Sequence, residues 1–83
     1  MTLDALKEAP KRVVGAHQTA KAIARGRAVV VFVSRDAARR ITEPVVRAAE
    51  ERGLPVVEVE TGRELGRACG IAVGAAAAAI LRS

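Results

Sequence analysis

A chain of 83 residues, half of them hydrophobic, with a formal net charge of +5 and a single cysteine, has room for one domain and a modest core. That hydrophobic content excludes a disordered chain, and a lone aromatic residue, Phe32, excludes modules that stack unpaired bases on a sheet of aromatic rings. The lone Cys69 excludes an internal disulfide, leaves no second cysteine for a metal cluster, and fits a small packing residue in a reducing, cytoplasmic compartment.

The charge is unevenly spread. Residues 1–40 carry nine Lys and Arg against three acids (+6), and residues 41–83 carry five against six (−1), together the +5 of the whole. A positive half suits phosphates, although a solvated basic face is common in small proteins. The first fourteen residues, MTLDALKEAPKRVV, are charged and have no apolar core, so they do not read as a signal peptide. The apolar tail, 70–81, is too short to span a bilayer, and no membrane association is expected.

In chain order, Thr2 can cap a short helix over 3–8 that Pro10 stops, and residues 12–14 read as a short strand. From Gln18, the apolar positions Ala20, Ile23 and Ala24 follow helical spacing until Gly26. AVVVFV, at 28–33, is an unbroken β-branched run of the kind found in strands covered on both faces. ITEPVVRAAEERG follows, with Thr42 as a cap, Pro44 in the first turn, Val45, Val46 and Ala49 facing inward, and Gly53 closing the helix. VVEVE after Pro55 alternates like a strand with one wet face. Thr61-Gly62-Arg63-Glu64 is a capping box for a helix carrying Leu65 and Ala68 and ending near Gly70. Strands alternating with helices three times over predict an α/β plan, with helices on both faces of a small sheet.

The last run, GAAAAAIL, can be read two ways. Alanine is the best helix former, so propensity favours helix. A fourth strand would complete the alternation, and a tightly packed central strand can use small side chains.

The stretch Val14-Gly15-Ala16-His17-Gln18-Thr19-Ala20-Lys21 carries the polar chemistry. Gly15 lets the backbone turn sharply or approach a partner closely. The first N–H groups of the helix that follows lack internal acceptors and carry the positive end of its dipole, which makes a natural anion site. His17, Gln18, Lys21 and Arg25 share one stripe, because residues three and four apart are neighbours on a helix. A ring, an amide and two cations together can read base edges and hold a backbone; an ordinary solvated helix start is the plainer reading. No Ser, Cys or acid stands near His17, and the segment is neither a phosphate-binding loop nor a dinucleotide fingerprint, so no enzyme is expected. A second feature, ACGIAVGAA at 68–76, sets Ile71 and Val73 on a glycine-flanked connection, packed inward or offered to a partner.

Together, VVGAHQTAKAIARG and LGRACGIAVGAAAAAIL resemble the kink-turn-binding family of ribosomal proteins (the L-seven-Ae family), and above all its small bacterial members. The resemblance covers about residues 3–81, in order and spacing. It implies a three-layer α/β/α sandwich around a four-stranded mixed sheet, with 75–81 as a strand. It also implies binding of a sharply bent RNA in which a three-nucleotide bulge adjoins tandem sheared G·A pairs, in ribosomal RNA or a riboswitch. By that likeness, the segment 15–21 enters the major groove at the kink. Gly15 and Ala16 give close approach, His17 and Gln18 meet the guanines, and Lys21 meets a base edge or phosphate. Cys69, Gly70, Ile71, Ala72 and Val73 pack against bulged nucleotides.

An ordinary A-form major groove is too narrow for side chains, but a kink opens it, and crowded phosphates favour a basic partner. Archaeal and eukaryotic members usually carry Asn-Glu where His17-Gln18 stands here, and a proline often found in the segment 34–42 is missing. Arg35, Arg39 and Arg40 there are further candidates for phosphate contact. The expectation is a monomeric, non-catalytic RNA-binding protein needing no metal or cofactor. The alternative is a scaffold of the same fold whose apolar loop serves a protein partner.

Overall fold

Strand and helix alternate as the patterning predicts, and the computed structural model describes residues 3–82. The elements are α1 (Leu3–Glu8), β1 (Arg12–Val14), α2 (Ala16–Ala24), β2 (Ala28–Ser34), α3 (Arg39–Glu51), β3 (Val56–Val59), α4 (Gly62–Ala68) and β4 (Ala77–Leu81). The expected cap at Thr2 lies outside the described residues.

The four strands form one mixed sheet in the order β1-β4-β2-β3. β4 runs antiparallel to both neighbours, with Val13 opposite Ala79 and Phe32 opposite Ala78, while β3 runs parallel to β2. Alternation along β2 divides the core between two faces. Val30 and Phe32 pack with Leu6 of α1 and Leu65 and Ala68 of α4. Val31 and Val33 pack with Ile23 of α2 and with Val45 and Ala49 of α3. The result is the expected three layers, with α1 and α4 on one side of the sheet and α2 and α3 on the other. No helix among the described residues is long and apolar enough to cross a membrane.

The alanine run is a strand, and an inner one. Ala77, Ala78 and Ala79 are each 0% exposed, against a helix layer on either side and a paired strand at either edge. Burial on both faces and a paired strand on either side outweigh the fraction of a kilocalorie per residue by which alanine prefers helix. Methyl side chains also let both helix layers come close. Ala78→Leu, facing the Leu6–Phe32–Leu65 cluster, is therefore expected to destabilise by about 2 kcal/mol through overpacking. Ala24→Leu, on the exposed side of α2, is the control and should stay within about 0.5 kcal/mol. Equal denaturant midpoints for the two variants would refute this account of the strand.

Expectations for the starts of α3 and α2 need correction. α3 starts at Arg39, so Thr42 does not cap it; Thr42 is buried and its N–H joins the helix by donating to the Ala38 carbonyl at 3.2 Å. Pro44 consequently lies inside the helix rather than in its first turn. Its missing N–H leaves the carbonyl of exposed Arg40 to water, a small loss so near the helix start. α2 starts at Ala16 rather than at Gln18, and its buried stripe is Thr19, Ala22 and Ile23, with Ala20 half-buried and Ala24 exposed. The expected Thr61 cap is present, its hydroxyl accepting from the Glu64 N–H at 3.1 Å.

Candidate nucleic-acid interface

β1, β2 and β3 all end at one edge of the sheet, and α2, α3 and α4 all begin there. Short hydrogen bonds stitch this edge together. Gly15 N–H donates to the Ala77 carbonyl at 2.7 Å, Ser34 N–H to Ala76 at 2.9 Å, and Arg35 N–H to Val59 at 2.8 Å. Gly62 N–H donates to Asp36 Oδ1 at 2.9 Å, which ties the β2–α3 turn to the start of α4. The carboxyl ends of strands are where α/β sheets bind ligands, and three helix dipoles here aim their positive ends at that edge.

The three helix starts differ. α4 is satisfied from within, by the Thr61 cap and by Glu64 in its first turn. α2 and α3 have neither a side-chain cap nor an acid in the first turn. α3 even places Arg39 and Arg40 there, both exposed, against a dipole that disfavours each cation by about 0.3–1 kcal/mol. Local rules are thus broken at both helix starts, which leaves their N–H groups and positive dipole ends without a compensating acid from the chain itself.

At the α2 mouth, Gly15 stands as N-cap with φ 101° and ψ 148°, and the Thr19 N–H closes the first turn onto its carbonyl at 2.9 Å. Ala16 is half-buried, while His17, Gln18 and Lys21 are exposed, Lys21 about 8 Å along the helix from Ala16. Thr19 Oγ1 is buried in that turn with no hydrogen-bond partner among the described residues. Arg25 is exposed too, but it caps the other end of α2, about 14 Å from Ala16. The structure therefore sets His17 and Gln18 at the mouth, places Lys21 farther along the same exposed face, and leaves Arg25 at the opposite end. Arg35 stands at the end of β2 with Glu60 Oε1 3.5 Å from its Nη1, an exposed pair too weak to hold it.

The apolar connection is built by the end of α4. Cys69 caps the helix, Gly70 follows with φ 78°, Gly70 N–H donates to Arg67 O and Ile71 N–H to Gly66 O, each at 3.0 Å. This reciprocal pair turns the chain back along its own helix. Glycines admit the returning loop: a Cβ at Gly62 would lie 2.9 Å from the Ala75 carbonyl oxygen, and one at Gly66 would collide with that of Val73. Val73 is left 70% exposed and Ile71 37%. Ala72 is exposed beside them, and Arg63 and Arg67 line the groove between α4 and this loop.

Cys69, by contrast, is 6% exposed, its side chain in the core and its thiol pKa pushed up by burial while nearby Arg12 acts the other way. Sequence reasoning missed Arg63 and Arg67, although their four-residue spacing on a short helix was a signal. It also missed Arg12, whose guanidinium grips the carbonyls of Ala9 at 3.1 Å and Cys69 at 3.2 Å. No group of three or more His, Cys, Asp or Glu side chains among the described residues is placed to hold a metal ion.

The model of the ribosomal protein L7Ae/L30e/S12e/Gadd45 family matches residues 1–83. The chain is similar to the RNA-binding protein YbxF of Geobacillus stearothermophilus, 45% identical over 82 residues that cover 99% of this chain and all of that one. It is also similar to the large ribosomal subunit protein eL8 of Halobacterium salinarum, 47% identical over 68 residues, 81% of this chain and 57% of that protein. Among solved structures, the 15.5kD RNA binding protein of Giardia lamblia superposes with a TM-score of 0.80 at 31% identity, over 98% of this chain and 71% of that one.

Proposed function

The chain belongs to the ribosomal protein L7Ae/L30e/S12e/Gadd45 family, and from that premise we propose that it is a non-catalytic protein that binds kink-turn RNA. The observation that carries this reading is the strand edge, where two uncapped, acid-free helix starts meet Gln18, Lys21, Arg39 and Arg40. Backbone N–H groups and cations there suit phosphates, and an amide and a ring suit guanine edges. In this reading Gly15 and Ala16 admit the RNA backbone, His17 and Gln18 meet the sheared pairs, and Lys21 meets a base edge or phosphate. Arg35, Arg39 and Arg40 contact phosphates. Ile71, Ala72 and Val73, with Gly70 beneath them, pack against bulged nucleotides, and Cys69 contributes through its backbone alone. The protein acts as a cytoplasmic monomer without metal or cofactor, on ribosomal RNA or a riboswitch.

A gel-shift titration comparing a kink-turn RNA with the same duplex closed by Watson–Crick pairs tests it. Tight binding to the first alone supports the proposal; equal, weak, salt-sensitive binding to both refutes it. Lys21→Ala should cost roughly 1–3 kcal/mol of binding to the kinked RNA if Lys21 reads a base edge, and unchanged affinity would remove it from the site. Exposure of Val73 at 70% favours a second reading, a scaffold whose loop holds a protein partner. Its binding would be nearly independent of salt, whereas RNA binding through several phosphates weakens steeply.

A further inference from the structure

Four arginines meet at a single turn at the opposite edge of the sheet, between the end of α2 and the start of β2. Arg25 and Arg27 belong to this turn. Arg52, at the end of α3, donates from Nη2 to the Ala24 carbonyl at 2.9 Å, and Arg82, after β4, donates from Nε to the Gly26 carbonyl at 2.8 Å. Those two bonds satisfy the last carbonyl of α2 and the Gly26 carbonyl of the turn beyond it, and they fix two planar cations in place. Arg25 and Arg27 satisfy no carbonyl in this way. Both are exposed, and their side chains make no hydrogen bond or ion pair among the described residues. Among those residues the ion pairs are Arg35–Glu60 and Arg47–Glu43. Among the described residues, the acids whose elements end at this side of the sheet include Glu50 and Glu51 in the last turn of α3 and Glu8 at the end of α1. None lies within 4.0 Å of these four arginines.

Helix-end compensation accounts for two of the arginines. It does not account for four like charges around one turn, which repel one another within about a Debye length of 8–10 Å. Guanidinium is also the cation that meets phosphate with two parallel hydrogen bonds, and two of these are already oriented. The cluster continues the exposed stripe of α2, which runs from Gln18 at the mouth through Lys21 to Arg25.

We propose that the turn 24–27, with Arg25, Arg27, Arg52 and Arg82, is a second phosphate-binding surface that holds the backbone of an RNA arm leaving the first site along α2. The contact is independent of sequence and needs an arm long enough to cross the protein. An acidic protein segment would share the charge complementarity, but continuity with the mouth stripe favours RNA.

The proposal rests on the RNA-binding reading above, and the test separates the two. Arg25→Ala/Arg27→Ala is titrated at several salt concentrations against two RNAs with the same kinked centre. In one the arms are just long enough to close; in the other the arm beside α2 is extended by about one helical turn. The double variant should bind the extended RNA roughly tenfold more weakly, with its log-affinity against log-salt slope reduced by nearly 2, one unit or slightly less per lost phosphate. On the short RNA it should match the parent chain. Arg25→Lys/Arg27→Lys should restore most of the slope, which a purely structural role would not require.

Unchanged slopes on the extended RNA, or an equal loss on both RNAs, would overturn the second surface while leaving the kinked-RNA reading intact. A plain duplex of the extended length serves as the third arm. Were the parent chain to bind it as well as the kinked RNAs, the reading of the mouth would fall, and the slope difference on that duplex would still decide the cluster.

Discussion

Gly66→Val is expected to lower stability by about 3 kcal/mol and the melting midpoint by roughly 15 °C. Glycine within a helix ordinarily looks like a weakness, since most other residues gain up to about 1 kcal/mol of propensity there. The sign is reversed here by what lies against it. A side chain at position 66 would collide with the Val73 carbonyl oxygen and meet the Val73 carbonyl carbon at 3.1 Å and the Gly74 Cα at 3.3 Å. All three are backbone, and none can swing aside. The returning loop would have to lift off α4, breaking the bonds from Ile71 N–H to Gly66 O and from Ala75 N–H to Gly62 O, each 3.0 Å. Ile71 and Val73 would move with it, so affinity for RNA with a bulge should fall further than the stability loss alone explains. Arg67→Val, one residue on and exposed, should change the midpoint little. A Gly66→Val midpoint as close to the parent's as that of Arg67→Val would show that the loop does not depend on this contact.

What could be read in the sequence was what neighbouring residues decide. β2 announces itself by an unbroken β-branched run, α4 by its Thr61–Glu64 box, and the α2 mouth by glycine followed by polar residues. What could not be read depends on partners far away in the chain. β4 is a strand because strands lie on both its edges and helices on both its faces, and residue-by-residue propensity contains none of that. α3 starts three residues before Thr42, with Arg39 and Arg40 in its first turn and no side-chain cap, so no local signal marks where it begins. Arg12 reaches Cys69 across 57 residues, and Asp36 reaches Gly62 across 26. Arg25 shows the same limit from the other side. Helical spacing places it on the stripe of Gln18 and Lys21, but the length of the helix carries it to the opposite edge of the sheet.

Gly15→Ala is expected to cost about 2 kcal/mol of stability and to weaken binding to a kinked RNA by a larger factor. A Cβ at Gly15 would find nothing within 4 Å, so space is not the obstacle. The obstacle is the backbone: φ 101° with ψ 148° belongs to a region almost reserved for glycine, where an L side chain costs about 1–3 kcal/mol. The chain can relieve that strain by rotating the cap, but the Gly15 N–H is held to Ala77 at 2.7 Å and its carbonyl closes the first turn of α2. Rotation would therefore turn the exposed N–H groups of α2, and His17 and Gln18 with them, away from the strand edge. The two roles of this glycine, conformation and close approach, are separable by placing D-alanine at position 15 through chemical synthesis. A D residue favours positive φ, so the melting midpoint should return to within about 0.5 kcal/mol of the parent. Recovery of folding without recovery of RNA binding would show that the RNA needs a bare Cα at position 15 as well as its conformation. Recovery of both would make the glycine conformational alone, and an L-alanine variant melting like the parent would remove strain from the account altogether.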